Sequence, residues 1–230
     1  GMRWVNPEKE QKIGILGGTF DPVHEGHLVV ARTVLARCSL DLVLFVPAPA
    51  PPHKERRLTP FSHRLAMLEA AVGDDPRLSV SALEAERPPP SYTVDTLREM
   101  QNRLGPRQFF LTIGADMFAE IRLWYRYNEL FRLAHLIVVA RPGFSLDDMA
   151  ARVAALPGSF HHDPAGQEWR REDGFRIIYL PDVAIQVSSS QVRALLAQGK
   201  PVAGLVPAPV QEYIRRHGLY RPTDRNRQIQ

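Results

Sequence analysis

The chain has 230 residues, 44% of them apolar and 23% charged, which excludes a disordered or fibrous protein and is enough to bury a core without staples. The net charge of +4 suits a protein that handles phosphorylated substrates, and the isoelectric point near 9.5 is the only feature that points towards nucleic acid. A single cysteine, Cys38, excludes an internal disulfide. No run of eighteen apolar residues and no signal-peptide pattern is found, so the expectation is a soluble cytoplasmic protein with no membrane partner.

In chain order, strand-like runs fall at 13–18, 42–47, 77–81, 108–114, 136–140 and 176–180. Most are continuously apolar, as parallel strands covered on both faces are. Helical periodicity lies between them. Leu28, Ala31, Val34 and Leu35 share a face after the first strand, and further helices are predicted near 60–73, 92–104, 125–133, 146–155, 189–197 and 208–217. Such alternation predicts an α/β fold, a doubly wound, mainly parallel sheet with helices on both faces. One domain is expected, with its core over about 12–217 and a flexible, solvated tail from about 218 to 230. Cys38 falls on the first helix, as a buried structural thiol. Two stretches are irregular, the proline-rich 47–60 and the polar 157–174. The first lies at the carboxyl edge of the sheet, where open α/β sheets bind ligands. The second is expected to be a surface loop, with His161, His162 and Asp163 in a solvated turn.

The most informative block is Gly17-Gly18-Thr19-Phe20-Asp21-Pro22-Val23-His24-Glu25-Gly26-His27-Leu28. Gly17 and Gly18 end the first strand and are expected to let the chain turn sharply and a ligand approach the backbone. The helix that follows offers N–H groups at its start, an anion site in its own right. His24 and His27 share a face there and can both donate to phosphate oxygens, with Gly26 keeping the approach open. The block therefore reads as a polyphosphate cradle. The rival motifs are missing: there is no GxGxxG, no Walker A loop and no HExxH with a third zinc ligand. A turn with two incidental histidines is the bland alternative.

Further along, Ser188 and Ser189 suit the start of a helix, and Arg193 lies one turn on. Taken alone, this is an ordinary capped helix. His53 and Lys54 end the proline-stiffened loop, where a lysine can meet a phosphate. Trp124 can stack on a flat electron-poor ring, with Tyr125 beside it. Asp116 follows Gly114 at the ligand edge of the sheet.

The block "GGTFDPVHEGHL" resembles the HxGH signature of the nucleotidylyltransferase superfamily, and "VSSSQVR" (187–193) is similar to its second signature, with Ser190 in place of a threonine. The blocks "PPHK", "SYTVDTL", "IGADM", "WY" and "ARPG", in that order, resemble those of the bacterial nicotinate-nucleotide adenylyltransferases. The resemblance implies a Rossmann-like nucleotidyltransferase fold. It also implies adenylyl transfer from ATP to nicotinic acid mononucleotide, giving deamido-NAD and pyrophosphate in NAD biosynthesis. The mononucleotide phosphate attacks the ATP α-phosphorus in line, with no enzyme nucleophile.

On this resemblance the ATP-binding residues are Gly17, Gly18, Thr19, Phe20, His24, Gly26, His27, Gly114, Asp116, Ser188, Ser189 and Arg193. The catalytic set is His24, His27, Arg193 and Lys54, with His27 on the α-phosphate and Arg193 and the serines on the β- and γ-phosphates. Asp116 binds ribose hydroxyls, or else only caps its helix. His53 and Lys54 serve the mononucleotide phosphate. Thr93, Trp124 and Tyr125 hold the pyridine ring, its carboxylate meeting backbone N–H groups near Thr93 and Tyr125. Mg2+ is expected with ATP, held mainly by phosphates and water, since no acidic cage is evident. ATP and nicotinic acid mononucleotide are the expected partners, and nucleic acid is not. An amide-specific or other HxGH adenylyltransferase, or a non-catalytic nucleotide-binding protein, remains the alternative.

Overall fold

The computed structural model describes residues 10–49, 57–165, 167–183 and 187–222. Its centre is a sheet built from β1 (Lys12–Gly18), β2 (Leu42–Pro47), β3 (Leu78–Val80), β4 (Gln108–Gly114), β5 (Ala134–Val139), β6 (Phe160–Asp163), β7 (Glu168–Arg171) and β8 (Arg176–Leu180), in the order β3-β2-β1-β4-β5-β8-β7-β6. The six strands from β3 to β8 run parallel, and β7 and β6 close the edge antiparallel. The apolar runs become strands because each is buried on both faces, as the sequence predicts.

The helices are α1 (Glu25–Arg37), α2 (Phe61–Val72), α3 (Thr93–Leu104), α4 (Ala115–Ala119), α5 (Tyr127–Leu133), α6 (Leu146–Ala154), α7 (Ser189–Ala197) and α8 (Ala208–His217). Strand periodicity divides the core between the two sheet faces. Ile13, Ile15, Phe109, Leu111, Leu136 and Val138 face Leu97 and Met100 of α3, Leu130 of α5 and Met149 of α6. Val43, Phe45, Phe110, Ile137 and Val139 face Val30 and Val34 of α1, Met67 of α2, Val192 of α7 and Ile214 of α8. Cys38, at the end of α1, is half-buried and packs on this second face, and burial pushes its thiol up to about 11. No described helix is long and apolar enough to cross a membrane.

The structure corrects two expectations. The polar stretch 157–174 is no mere loop but contains the β6–β7 hairpin. Its strands alternate one inward aromatic with polar neighbours: Trp169 is 4% exposed, and His162 stacks on it at 4.3 Å. Short half-polar strands at a sheet edge carry a weak hydrophobic signal, and the intervening turn residues mask it. His162 therefore belongs to a strand, not to a solvated turn. The second correction concerns the terminal segment. Leu219 and Tyr220 pack against the second core, and the Tyr220 hydroxyl donates to the Asp21 carboxylate. Gly218, left-handed at φ 60, ends α8 and turns the chain back to make that contact.

β1 lies between β2 on one side and β4 on the other, although β2 follows it directly in sequence. Strand order thus reverses between β1 and β4, and the crevice outside their carboxyl ends is where such sheets bind ligands. Gly18 and Gly114, the last residues of these strands, mark that crevice. A depression of about 490 Å³ among Gln101, Arg107, Arg132 and Asp173 opens at the amino end of β4 and β5, away from it.

Candidate active site

The two glycines do not make the turn, and a Cβ would meet only Val46 O at 3.8 Å at Gly17 and the Phe20 ring from 3.4 Å at Gly18. Both lie in β1, Gly17 opposite Val46 and Gly18 opposite Pro47, and neither adopts a left-handed backbone. The turn falls instead at Phe20, with φ 51, a conformation that costs a residue with a Cβ about 1 kcal/mol or more. Burial holds it there: Phe20 is 2% exposed, and its ring meets Phe45 at 5.7 Å and His27 at 4.8 Å. At Gly114 an added Cβ would meet nothing within 4 Å, so the space above β4 is open.

α1 then begins with its amides already bonded, contrary to the expectation of a bare helix start. The Glu25 N–H donates to the Leu205 carbonyl at 2.9 Å and the Gly26 N–H to His24 Nδ1 at 3.0 Å. The His27 N–H donates to the His24 carbonyl at 3.1 Å, while the His24 N–H donates to His27 Nδ1 at 3.1 Å. The two histidines form a capping box between themselves, with rings stacked at 3.7 Å. The consequence is chemical. Each Nδ1 faces an N–H donor and must accept, so each ring carries its proton on Nε2. The pair offers two neutral Nε2–H donors at a helix start whose own amides are already bonded.

Burial favours the same neutral state. It pushes His24 down to about 4, and burial together with the adjacent His24 ring pushes His27 down to about 3. A histidine whose folded value lies below its unfolded value near 6.5 takes up a proton more readily when unfolded. Its contribution to stability is complete above pH 6.5 and is lost as pH falls towards the folded value. His135, which burial pushes down to about 4, adds to the same trend. Urea unfolding at pH 5 is expected to give a lower free energy than at pH 7, by up to about 2 kcal/mol per buried histidine. Equal values at the two pH values would mean that these rings are protonated in the folded protein.

α7 brings the second signature to the same place. The Ser188 hydroxyl caps the helix, accepting from the Gln191 N–H at 3.1 Å. Ser189 Oγ donates to the Pro22 carbonyl at 2.9 Å. Arg193 donates to the Asp21 carbonyl at 2.8 Å and to Ser190 Oγ at 3.1 Å. Ser189 and Arg193 thus grip the loop that leads into His24, although they lie far from it in sequence. Ser188 only accepts in its cap and keeps its hydroxyl proton, whereas the Ser189 proton points at a carbonyl, so Ser189 would meet an anion only after changing partner.

On the far side of the crevice, α3 starts at Thr93 without a side-chain cap, and its first amides lack intrahelical acceptors. The preceding Tyr92 ring lies 4.3 Å from that of Tyr125, which brings the start of α3 next to Trp124 and Tyr125. Trp124 packs partly against the core, whereas Tyr125 is 45% exposed. Uncapped amides beside aromatic rings suit a flat ring carrying an anionic substituent. Asp116 does not cap α4, whose N-cap is Gly114. It pairs with Arg141 at 2.5 Å across the ends of β4 and β5. His53 and Lys54 lie outside the described residues.

Arg64 went unmarked among the sequence motifs. It is 1% exposed, and its guanidinium donates to the carbonyls of Thr59, Thr19, Ala48 and Pro49 at 2.7–2.9 Å. It thereby joins the loop after β1 to the segment after β2. Phe61, Arg64, Leu65 and Leu68 share one helical face, so the signal in the sequence was a charge at a core-facing position. Among the described residues no group of three or more His, Cys, Asp or Glu is placed to hold a metal ion.

The cytidylyltransferase-like family model matches residues 15–195. A protein of Syntrophotalea carbinolica named "Probable nicotinate-nucleotide adenylyltransferase" is 39% identical over 94% of this chain and 100% of its own. One of Thermomicrobium roseum with the same name is 38% identical over 93% of each. The fold is shared with Plasmodium falciparum nicotinic acid mononucleotide adenylyltransferase, solved in complex with NaAD, at a TM-score of 0.68 and 19% identity over 92% of this chain and 98% of that one. The chain therefore belongs to the cytidylyltransferase-like family, among the nicotinate-nucleotide adenylyltransferases.

Proposed function

We propose that the protein transfers the adenylyl group of ATP to nicotinic acid mononucleotide, forming deamido-NAD and releasing pyrophosphate. This reading is supported by the loop after β1, which carries two imidazoles with Nε2–H donors and is held by Arg193, and by an uncapped helix start flanked by aromatic rings. His24 and His27 hold the triphosphate, with His27 nearest the α-phosphate, and Arg193 draws the β- and γ-phosphates towards α7. An oxygen of the mononucleotide phosphate attacks the α-phosphorus, a new P–O bond forms, and the bond to the β-phosphate oxygen breaks. The electron pair leaves with pyrophosphate. The side chains supply position and charge neutralisation and no nucleophile.

The nicotinate carboxylate rests on the first amides of α3, its ring against Trp124 and Tyr125. Gly114 leaves room for the nucleoside, and Asp116, held by Arg141, serves the ribose hydroxyls. Lys54 and His53 would complete the mononucleotide phosphate site. ATP would bring Mg2+ with it, and the ion would supply charge neutralisation for the leaving pyrophosphate.

A site made of N–H donors accepts a carboxylate but turns donor against donor with a carboxamide. Pyrophosphate release should therefore be at least about 10²-fold faster with ATP and the acid mononucleotide than with ATP and the amide form. Equal rates would overturn the acid preference. No release with ATP and either mononucleotide would overturn the transferase reading.

A further inference from the structure

We propose that Asp21 is a positioning residue for the transfer, and that Tyr220, from the end of the chain, locks it in place. This inference rests on the adenylyl-transfer reading and adds two residues to it. Asp21 is 1% exposed, and its side chain and its main-chain carbonyl both accept hydrogen bonds. One carboxylate oxygen accepts from the Tyr220 hydroxyl, and the other accepts from the Thr59 N–H at 3.2 Å. Its main-chain carbonyl accepts from Arg193, and the next carbonyl, of Pro22, accepts from Ser189. Two residues further on, His24 caps α1.

The side chain therefore orients the peptide unit by which the second signature grips the first. A buried carboxylate held by two donors has little freedom to rotate. Its backbone carbonyl then sets where the Arg193 guanidinium sits relative to the His24–His27 pair. Burial and the neighbouring carboxylate both push the Tyr220 phenol up, which keeps its proton available to Asp21. Phe20 and Tyr220 both hold left-handed backbones, with φ 51 and 58. Such strain persists where the surrounding structure over-determines it, and here it flanks both ends of the contact.

Asp21→Ala, Asp21→Asn and Tyr220→Phe in the full chain test this, with kcat, KM, ATP affinity and thermal unfolding measured for each. Asp21→Ala is expected to fold, to lose about 10²-fold in kcat and to bind ATP about five-fold more weakly, with KM for the mononucleotide within about two-fold. Tyr220→Phe should lose about ten-fold in kcat, which covers the case in which Asp21→Ala does not fold. Asp21→Asn should recover most of the loss, because its amide oxygen accepts from Thr59 and its NH2 donates to the Tyr220 oxygen.

The 15N resonance of the Arg193 Nε–H reports the geometry without turnover. It should move in Asp21→Ala and Tyr220→Phe and return in Asp21→Asn. Wild-type kcat and an unmoved Arg193 resonance in Tyr220→Phe would overturn the proposal, even if its melting temperature fell. If the wild type released no pyrophosphate, the transferase reading would fail, and the Arg193 resonance and ATP affinity would still decide the positioning role.

Discussion

His27→Ala is expected to fold and to lose turnover by about 10²- to 10³-fold. Two separate contributions of His27 are removed. Nε2 carries the ring proton and is the donor proposed for the α-phosphate, and losing one such donor at a centre of developing charge costs about 3–4 kcal/mol of barrier. Nδ1 accepts from the His24 N–H at 3.1 Å, and losing half of a capping box costs about 1 kcal/mol of stability. His27→Asn separates them. Its side-chain oxygen reaches the His24 N–H as capping residues do, so the melting temperature should recover, while its NH2 falls short of the Nε2 position, so turnover should not. Pyrophosphate release and thermal unfolding on both variants check this. Near wild-type turnover in His27→Ala would remove His27 from the chemistry.

The largest effect on stability is expected at Arg64. Four carbonyls from three segments share one guanidinium, buried where water does not compensate. Arg64→Met keeps much of the volume but leaves those acceptors without their donor. A loss of about 4–5 kcal/mol in urea unfolding is expected. Arg64→Lys keeps the charge, but one ammonium cannot span Thr59 and Pro49 together with Thr19 and Ala48, and a loss of about 2 kcal/mol follows. A change below about 1 kcal/mol for Arg64→Met would mean that the loops hold their shape unaided.

Much of this was legible before the structure. Continuous apolar runs such as 42–47 and 108–114 read as strands buried on both faces, and their alternation with helical periods pointed to a parallel sheet. The spacing of His24 and His27 pointed to a phosphate cradle, Ser189 and Arg193 joined it only through the resemblance, and the fold brings these two to the loop that leads into His24. What stayed hidden depends on partners far apart in sequence. Nothing local reveals that Glu25 meets Leu205, or that Tyr220 meets Asp21. The histidines also use the amides that a helix start ordinarily offers to an anion. That exchange is invisible in the spacing because it depends on which ring nitrogen faces the backbone. Gly17 and Gly18 look like turn residues in a string of letters. Only the extended backbone shows them to be strand residues, with the turn at Phe20.

The 15N spectrum of the imidazoles, recorded at pH 7 while a non-hydrolysable ATP analogue is added, tests the phosphate cradle most directly. His24 and His27 should both be neutral with the proton on Nε2 before addition, and both Nε2 resonances should move to a saturating end point. A proton on either Nδ1, or Nε2 resonances that do not respond to the analogue, would contradict the assignment of these two rings as the donors that hold the triphosphate.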